Sequence, residues 1–180
     1  MTESERLLLA GMAAPVLDVG CGPGRVVEGL GRLGVTALGV DPLAGAVALA
    51  QRRGAPVLQR SVFDPLPGAG RWMTVVLLDG NVGIGGDPVR LLARCRDLVA
   101  DAGSVLVELE PPGCRSGAHR VRLEGHAGFG PWFEWAVVSV DAVAGVASAA
   151  GLGVRAIHHA TNEDRWFAAL AKGVDASAVA

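Results

Sequence analysis

Four aspartates stand out as residues able to do chemistry, because each closes a short apolar run. Asp18 lies in the stretch VLDVGCGPGR, residues 16–25, where Gly20, Gly22 and Gly24 follow at every second position. Asp41 ends the run Val35–Val40, Asp64 follows Pro56–Ser61 by way of Val62 and Phe63, and Asp79 follows Thr74–Leu78. Open α/β sheets bind ligands at the carboxyl ends of their parallel strands, and four acids at four successive strand ends are hard to explain as turn residues alone. Glycines let a backbone turn sharply and leave no side chain between it and a ligand. A pyrophosphate loop reads G-x-G-x-x-G; the spacing here is acid-x-G-x-G-x-G, which fits phosphate loops less well.

A second glycine-rich stretch, DGNVGIGGD from Asp79 to Asp87, reads in part as a strand-to-helix link. Its four glycines and Asn81 are expected to bring backbone close to a ligand. Glu108 and Glu110 leave the fifth apolar run on one face, towards the same crevice. Arg115, His119 and His126 follow, and histidine is the usual general base near neutral pH. His158 and His159 are adjacent in an extended run, so they face opposite ways and make no same-face metal pair. Trp132, Phe133 and Trp135 read either as an aromatic wall or as hairpin packing. Cys21, Cys95 and Cys114 are far apart, without metal-ligand or disulfide spacing.

These side chains need elements to hold them. Residues 1–14 form at most a short helix, with Leu7, Leu8 and Met12 on its apolar face. Arg25–Leu33 repeats apolar residues at helical spacing. Pro42 suits the first turn of a helix carrying Leu43, Ala46, Val47 and Ala50. Asp87 and Pro88 make a cap and first position for a helix to about Ala100, and Ser104–Glu110 is the fifth strand. His119–Glu124 and Trp132–Val138 read as a hairpin. Val140–Ala150 is a small-residue helix, and Val154–Thr161 and Arg165–Ala171 are two antiparallel strands. The order predicts a parallel, doubly wound α/β sheet. It also predicts one domain over residues 1–180, with a hairpin insertion at about 114–138.

Composition narrows the partners. Sixteen basic against 18 acidic residues leave a net charge of −2 without a basic block, which argues against a nucleic-acid backbone. Although 51% of residues are hydrophobic, charges and breaks interrupt every window long enough to span a membrane. The N-terminus lacks the basic start of a signal peptide, so a cytoplasmic setting is expected. One Lys, no Tyr and many Arg, Ala and Gly are the bias of a high-GC bacterial genome.

Residues 16–25 resemble motif I of the class I S-adenosylmethionine (SAM)-dependent methyltransferases, and the resemblance runs over nearly the whole chain. It implies a Rossmann-like, seven-stranded sheet, mostly parallel with an antiparallel C-terminal strand. It implies that the turn through Gly20, Cys21, Gly22 and Gly24 faces the methionine part of SAM, with Asp18 at its amino end. Asp41, followed by Pro42, becomes the acid for both ribose hydroxyls; Asp64 accepts from the adenine amino group, with Phe63 beside it. Asp79 and Gly80 fall where the methyl group meets its acceptor. Asp79, Asn81, His119 and His126 are the catalytic candidates, and no metal is expected. The implied activity is methylation of a small molecule on O, N or C, releasing S-adenosylhomocysteine. Two alternatives keep the same SAM site: a cyclisation or elimination catalyst, and a non-catalytic SAM- or partner-binding protein. Fifteen residues precede Val16, where small-molecule members commonly place one or two helices. The acceptor side is therefore expected to be open, covered by the hairpin, or completed by a second subunit of a homodimer.

Overall fold

The structure is a computed structural model that describes residues 5, 9, 11–125 and 128–173. Seven strands form the main sheet: β1 (Val16–Val19), β2 (Ala37–Asp41), β3 (Val57–Gln59), β4 (Trp72–Leu77), β5 (Val99–Leu109), β10 (Gly153–Ala160) and β11 (Arg165–Ala171). Their order is β10-β11-β5-β4-β1-β2-β3. β1 pairs in parallel with β2 and β4, as do β2 with β3 and β4 with β5. β11 alone runs antiparallel, to both β5 and β10.

The apolar runs are continuous because helices cover both faces of the sheet. Along β4 the side chains alternate. Val75 and Leu77 join Leu91, Leu92, Cys95 and Leu98 of α3 (Pro88–Leu98) and Val143 and Ala147 of α4 (Val140–Ala149). Val76 and the following Leu78 join Val26, Val27 and Leu30 of α1 (Arg25–Arg32) and Val47 and Ala50 of α2 (Ala44–Arg52). Strand order reverses between β1 and β4, which opens a crevice at their carboxyl ends. Glu5 and Leu9 are helical and fully buried, and Met12 packs beside them; Leu7 and Leu8 lie outside the described residues.

Several boundaries differ from the sequence reading by a residue or more, among them the hairpin strands, observed at Gly117–Val121 and Phe133–Val137. Pro42 does not start a helix: the Asp41 carboxylate accepts from the Leu43 N–H at 2.8 Å, holds Leu43 extended, and delays α2 to Ala44. α3 stops at Leu98 rather than about Ala100, and β5 begins at Val99 rather than Ser104. Val99 pairs with Trp72, and its carbonyl accepts from the Lys172 ammonium at 2.8 Å.

After β5 the chain leaves the sheet. β6 (Gly117–Val121) pairs antiparallel with β9 (Phe133–Val137), and a smaller pair, β7 (Glu124–Gly125) and β8 (Gly128–Phe129), lies between them. The hairpin docks on the loop after β4 through an Ile84–Trp135 bridge. This docking explains glycines that the sequence reading gave to a ligand. A Cβ on Gly83 would lie 2.1 Å from the Ala136 carbonyl, and one on Gly86 would lie 2.7 Å from the Glu134 Cβ.

Gly83→Ala should therefore destabilise the protein by about 1–3 kcal/mol or more, because the obstructing atom is backbone. Gly31→Ala, exposed in α1 with nothing within 4 Å of its Cβ, should stabilise it by up to about 1 kcal/mol. Urea unfolding of both variants measures this; shifts of the same sign would contradict the packing described.

Candidate functional site

The turn between β1 and α1 uses its three glycines differently. Gly20 has φ +72°, and a Cβ there would meet the Asn81 amide nitrogen at 2.7 Å. Gly24 has φ +80°, and a Cβ there would meet the Ala50 Cβ at 2.9 Å, so it serves packing of α1 on α2. Gly22 has φ +51°, and its Cβ would meet nothing within 4 Å. Only Gly22 thus keeps a side chain out of the crevice itself.

Two clamps hold this turn. The Asn81 Nδ2 donates to the Val19 and Gly20 carbonyls, both at 2.9 Å. Asn81, a catalytic candidate by sequence, therefore ties the loop after β4 to the loop after β1. From the other side, the Gly22 N–H donates to Asp41 Oδ2 at 3.0 Å, while Asp41 Oδ1 takes Leu43. Each carboxylate oxygen of Asp41 keeps acceptor capacity for a second donor. Cys21 is buried against Gly39, where any Cβ would lie 2.5 Å from its Sγ. Burial, then the nearby Asp18 and Asp41 charges, push its thiol up to about 12, so it is no nucleophile at neutral pH.

Asp18 sits at the floor of a cavity of about 230 Å³ lined also by Gly22, Arg25, Asp79 and Asn81. It is 2% exposed, and its Oδ2 has no hydrogen-bond partner among the described residues. Burial pushes its pKa up to about 7. Arg25 pulls the value down, while Asp79, Glu5 and Asp41 push it further up. A buried polar atom without a partner is rare in folded proteins, and its presence in a cavity points to a ligand that donates there.

Beside it lies an ion network that the sequence reading missed. The fully buried Glu5 pairs with Arg25 and, at 2.8 Å, with Arg165. Asp79, held at φ +54°, accepts from Arg25 at 2.6 Å and Arg165 at 3.3 Å. Both Glu108 oxygens take Arg165 at 2.7 Å, and Oε2 also accepts the Asp79 N–H at 2.6 Å. Glu108 is thus a structural partner, not a free group for an acceptor. One sequence signal was available: Arg25 is the first residue of α1, where the helix dipole disfavours a cation unless acids surround it.

The remaining candidates lie apart. Asp64 is exposed, and its Oδ2 accepts from the Ser61 N–H at 3.0 Å; Arg94 of α3 holds this loop through the Val62 and Asp64 carbonyls. Phe63 is half-buried under the Arg90 guanidinium, 4.3 Å from its ring centre. Pro42 is exposed beside Asp41. Gly80, with φ +75° and open space at its Cβ, borders a second cavity of about 150 Å³ that also touches Trp135, Glu110 and Arg165. His119 is exposed on β6 and lines neither cavity; His126 lies outside the described residues.

Comparison with known proteins gives this arrangement a setting. A sequence profile for a methyltransferase domain matches residues 4–157. A Mycobacterium tuberculosis protein is 31% identical over 108 residues, 60% of this chain and 36% of its own. A ubiquinone biosynthesis O-methyltransferase from Dinoroseobacter shibae is 32% identical over 96 residues, 51% of this chain and 39% of its own. The chain thus spans little more than a third of the length of these curated relatives. A SAM-dependent methyltransferase from Bacteroides fragilis, solved with S-adenosylhomocysteine, superposes with a TM-score of 0.79 at 20% identity. That match covers 97% of this chain and 78% of the other.

The raised pKa of Asp18 has a consequence for stability with a definite sign. Well below the ordinary carboxyl range, folded and unfolded chains both carry the proton. As pH rises from about 4 to 7 the unfolded chain loses it first, so stability falls through that window and levels off above about 7. Asp18→Asn should remove this decline. The variant should then be more stable than the parent at pH 8 by on the order of a few kcal/mol, with no such gain at pH 4. Urea unfolding across pH 4–8 tests this, and parallel profiles for the two proteins would contradict it.

Proposed function

We propose, from the premise that this chain belongs to the family of class I SAM-dependent methyltransferases, that it binds SAM in the Asp18 cavity and methylates a small-molecule acceptor. The observation that carries this reading is the Asp18 oxygen, unpartnered among the described residues, beneath an open glycine turn. SAM offers that oxygen an ammonium, and the open side of Gly22 admits a ligand at the turn. Arg25, which also lines the cavity, suits the cofactor's carboxylate. Asp41 has acceptor capacity for a ribose diol, and the exposed Asp64 beside Phe63 suits an adenine amino group. When bound, SAM supplies a methyl group on a sulfonium centre for in-line displacement.

The chain's own contribution is alignment. Asn81 fixes the turn against the β4 loop, and the Arg25–Asp79–Arg165 network fixes that loop in turn. Methyl transfer gains much of its rate from such positioning, so an obvious base is not required. The second cavity, on the other flank of the Asp79–Asn81 turn, is where the acceptor would sit. The O-methyltransferase relative supports a small-molecule acceptor.

Titration calorimetry with SAM is the first test. Asp41→Asn should weaken binding by about 1–3 kcal/mol, or roughly fivefold to 150-fold, through the lost charged acceptor. Gly22→Val should abolish binding by placing a side chain in the cavity. Normal affinity in Gly22→Val would reduce the motif to a turn, and no binding by the parent protein would overturn the reading. S-adenosylhomocysteine formed only when an acceptor is added then separates methyl transfer from SAM binding alone.

A further inference from the structure

The chemistry of the second cavity narrows the acceptor, an inference that rests on the methyl-transfer reading. The charged groups on its wall are Glu108, Glu110, Asp164 and Arg165, and Trp135 forms an aromatic side. Arg165 is fully engaged, with bonds to Glu108, Glu5 and Asp79. Glu108 is equally engaged, by Arg165 and the Asp79 N–H. Glu110 and Asp164 remain. The exposed Glu110 carboxylate makes no hydrogen bond or ion pair among the described residues. Asp164 uses Oδ1 with His159 Nε2 at 3.0 Å, and its Oδ2 is not so engaged. His159 is itself stacked on Trp166, with ring centres 4.0 Å apart, which holds that pair in place.

The cavity therefore presents carboxylate oxygens, an indole ring and, among the described residues, no unengaged cation. A phenolate or carboxylate acceptor would bring another anion against Glu110 and Asp164. A cationic nitrogen gains from both carboxylates and from the indole face. We propose that the acceptor is an aliphatic amine seated in this cavity, and that Glu110 is the residue that selects it.

Charge movement during transfer favours the same assignment. The bound ammonium first loses one proton to water at the open cavity, and the lone pair so freed forms the new N–C bond as the C–S bond breaks and its electron pair returns to sulfur. Positive charge passes from sulfur to nitrogen, and the product leaves through the open cavity as a methylated ammonium. Carboxylates beside the nitrogen stabilise the charge where it develops. With a phenolate, that step would instead neutralise the acceptor's charge, and the same carboxylates would disfavour its binding.

Binding of matched probes tests this without relying on turnover. The protein is first titrated with S-adenosylhomocysteine, then at saturation with 2-phenylethylamine, 4-ethylphenol and phenylacetate at pH 8 and low salt. The amine should bind at least about tenfold tighter than the other two. Glu110→Gln should remove most of that preference while S-adenosylhomocysteine affinity stays unchanged. Equal or tighter binding of the phenol or the acid would overturn the proposal. So would amine binding that Glu110→Gln leaves intact, or no binding by any probe to the saturated protein. Failure of S-adenosylhomocysteine itself to bind would appear in the first titration and overturn the methyl-transfer reading together with the amine assignment.

Discussion

A buried carboxylate oxygen near the end of β1, Asp18 Oδ2, without a hydrogen-bond partner among the described residues is the constraint around which the site is built. Asp18 stands on β1, between β2 and β4, 2% exposed and on the wall of the cavity. Burying an ionised carboxyl without a partner costs several kcal/mol, so the group holds its proton to about pH 7. Three further acids, Glu5, Asp41 and Asp79, raise that cost, and Arg25 offsets part of it. Such an arrangement works against the stability of the protein alone. It becomes favourable when a cationic donor reaches the Asp18 oxygen, which is what a cofactor ammonium provides.

The rest of the site is a set of ties that keep this carboxylate at the edge of a shaped cavity. The Asn81 amide and the Asp41 carboxylate grip the glycine turn from opposite sides. Arg25 and Arg165 join the buried Glu5 to Asp79, so the segment before β1 and the loop after β4 share one network. Because Asp79 and Asn81 line one cavity and Gly80 lines the other, one short turn borders both. A shift of this turn would be felt in both cavities.

The sheet was legible in the sequence because its strands are buried on both faces and read as unbroken apolar runs, from VLDV in β1 to the run that becomes β4. Asp18, Asp41 and Asp79 were legible for the same reason, since each is the first strong polar group of such a run or just after it; Asp64 instead lies in the turn after β3, past Gln59 and Arg60. What was not legible depended on distant partners. The four glycines after Asp79 looked like one ligand-facing loop, yet Gly83 and Gly86 answer to β9, some 50 residues on, and Gly85 answers to the Phe63 ring. The tie from Asn81 to the Val19 and Gly20 carbonyls was hidden because those partners lie some 60 residues earlier in the chain. Glu108 was read as facing the crevice, and its pairing with Arg165 depends on β11, more than 50 residues on. Local pattern identifies elements and strand ends; it does not say which side chains the topology sets face to face.

The central claim is that Asp18 gives up its proton to take the cofactor's ammonium. The most direct measurement is the number of protons released when SAM binds, from calorimetry at pH 6.5 in buffers of different ionisation enthalpy. The account predicts a release of between about half and one proton per SAM by the parent protein, following from a pKa near 7 that falls on binding, and almost none by Asp18→Asn. Equal proton release by the two proteins would contradict it.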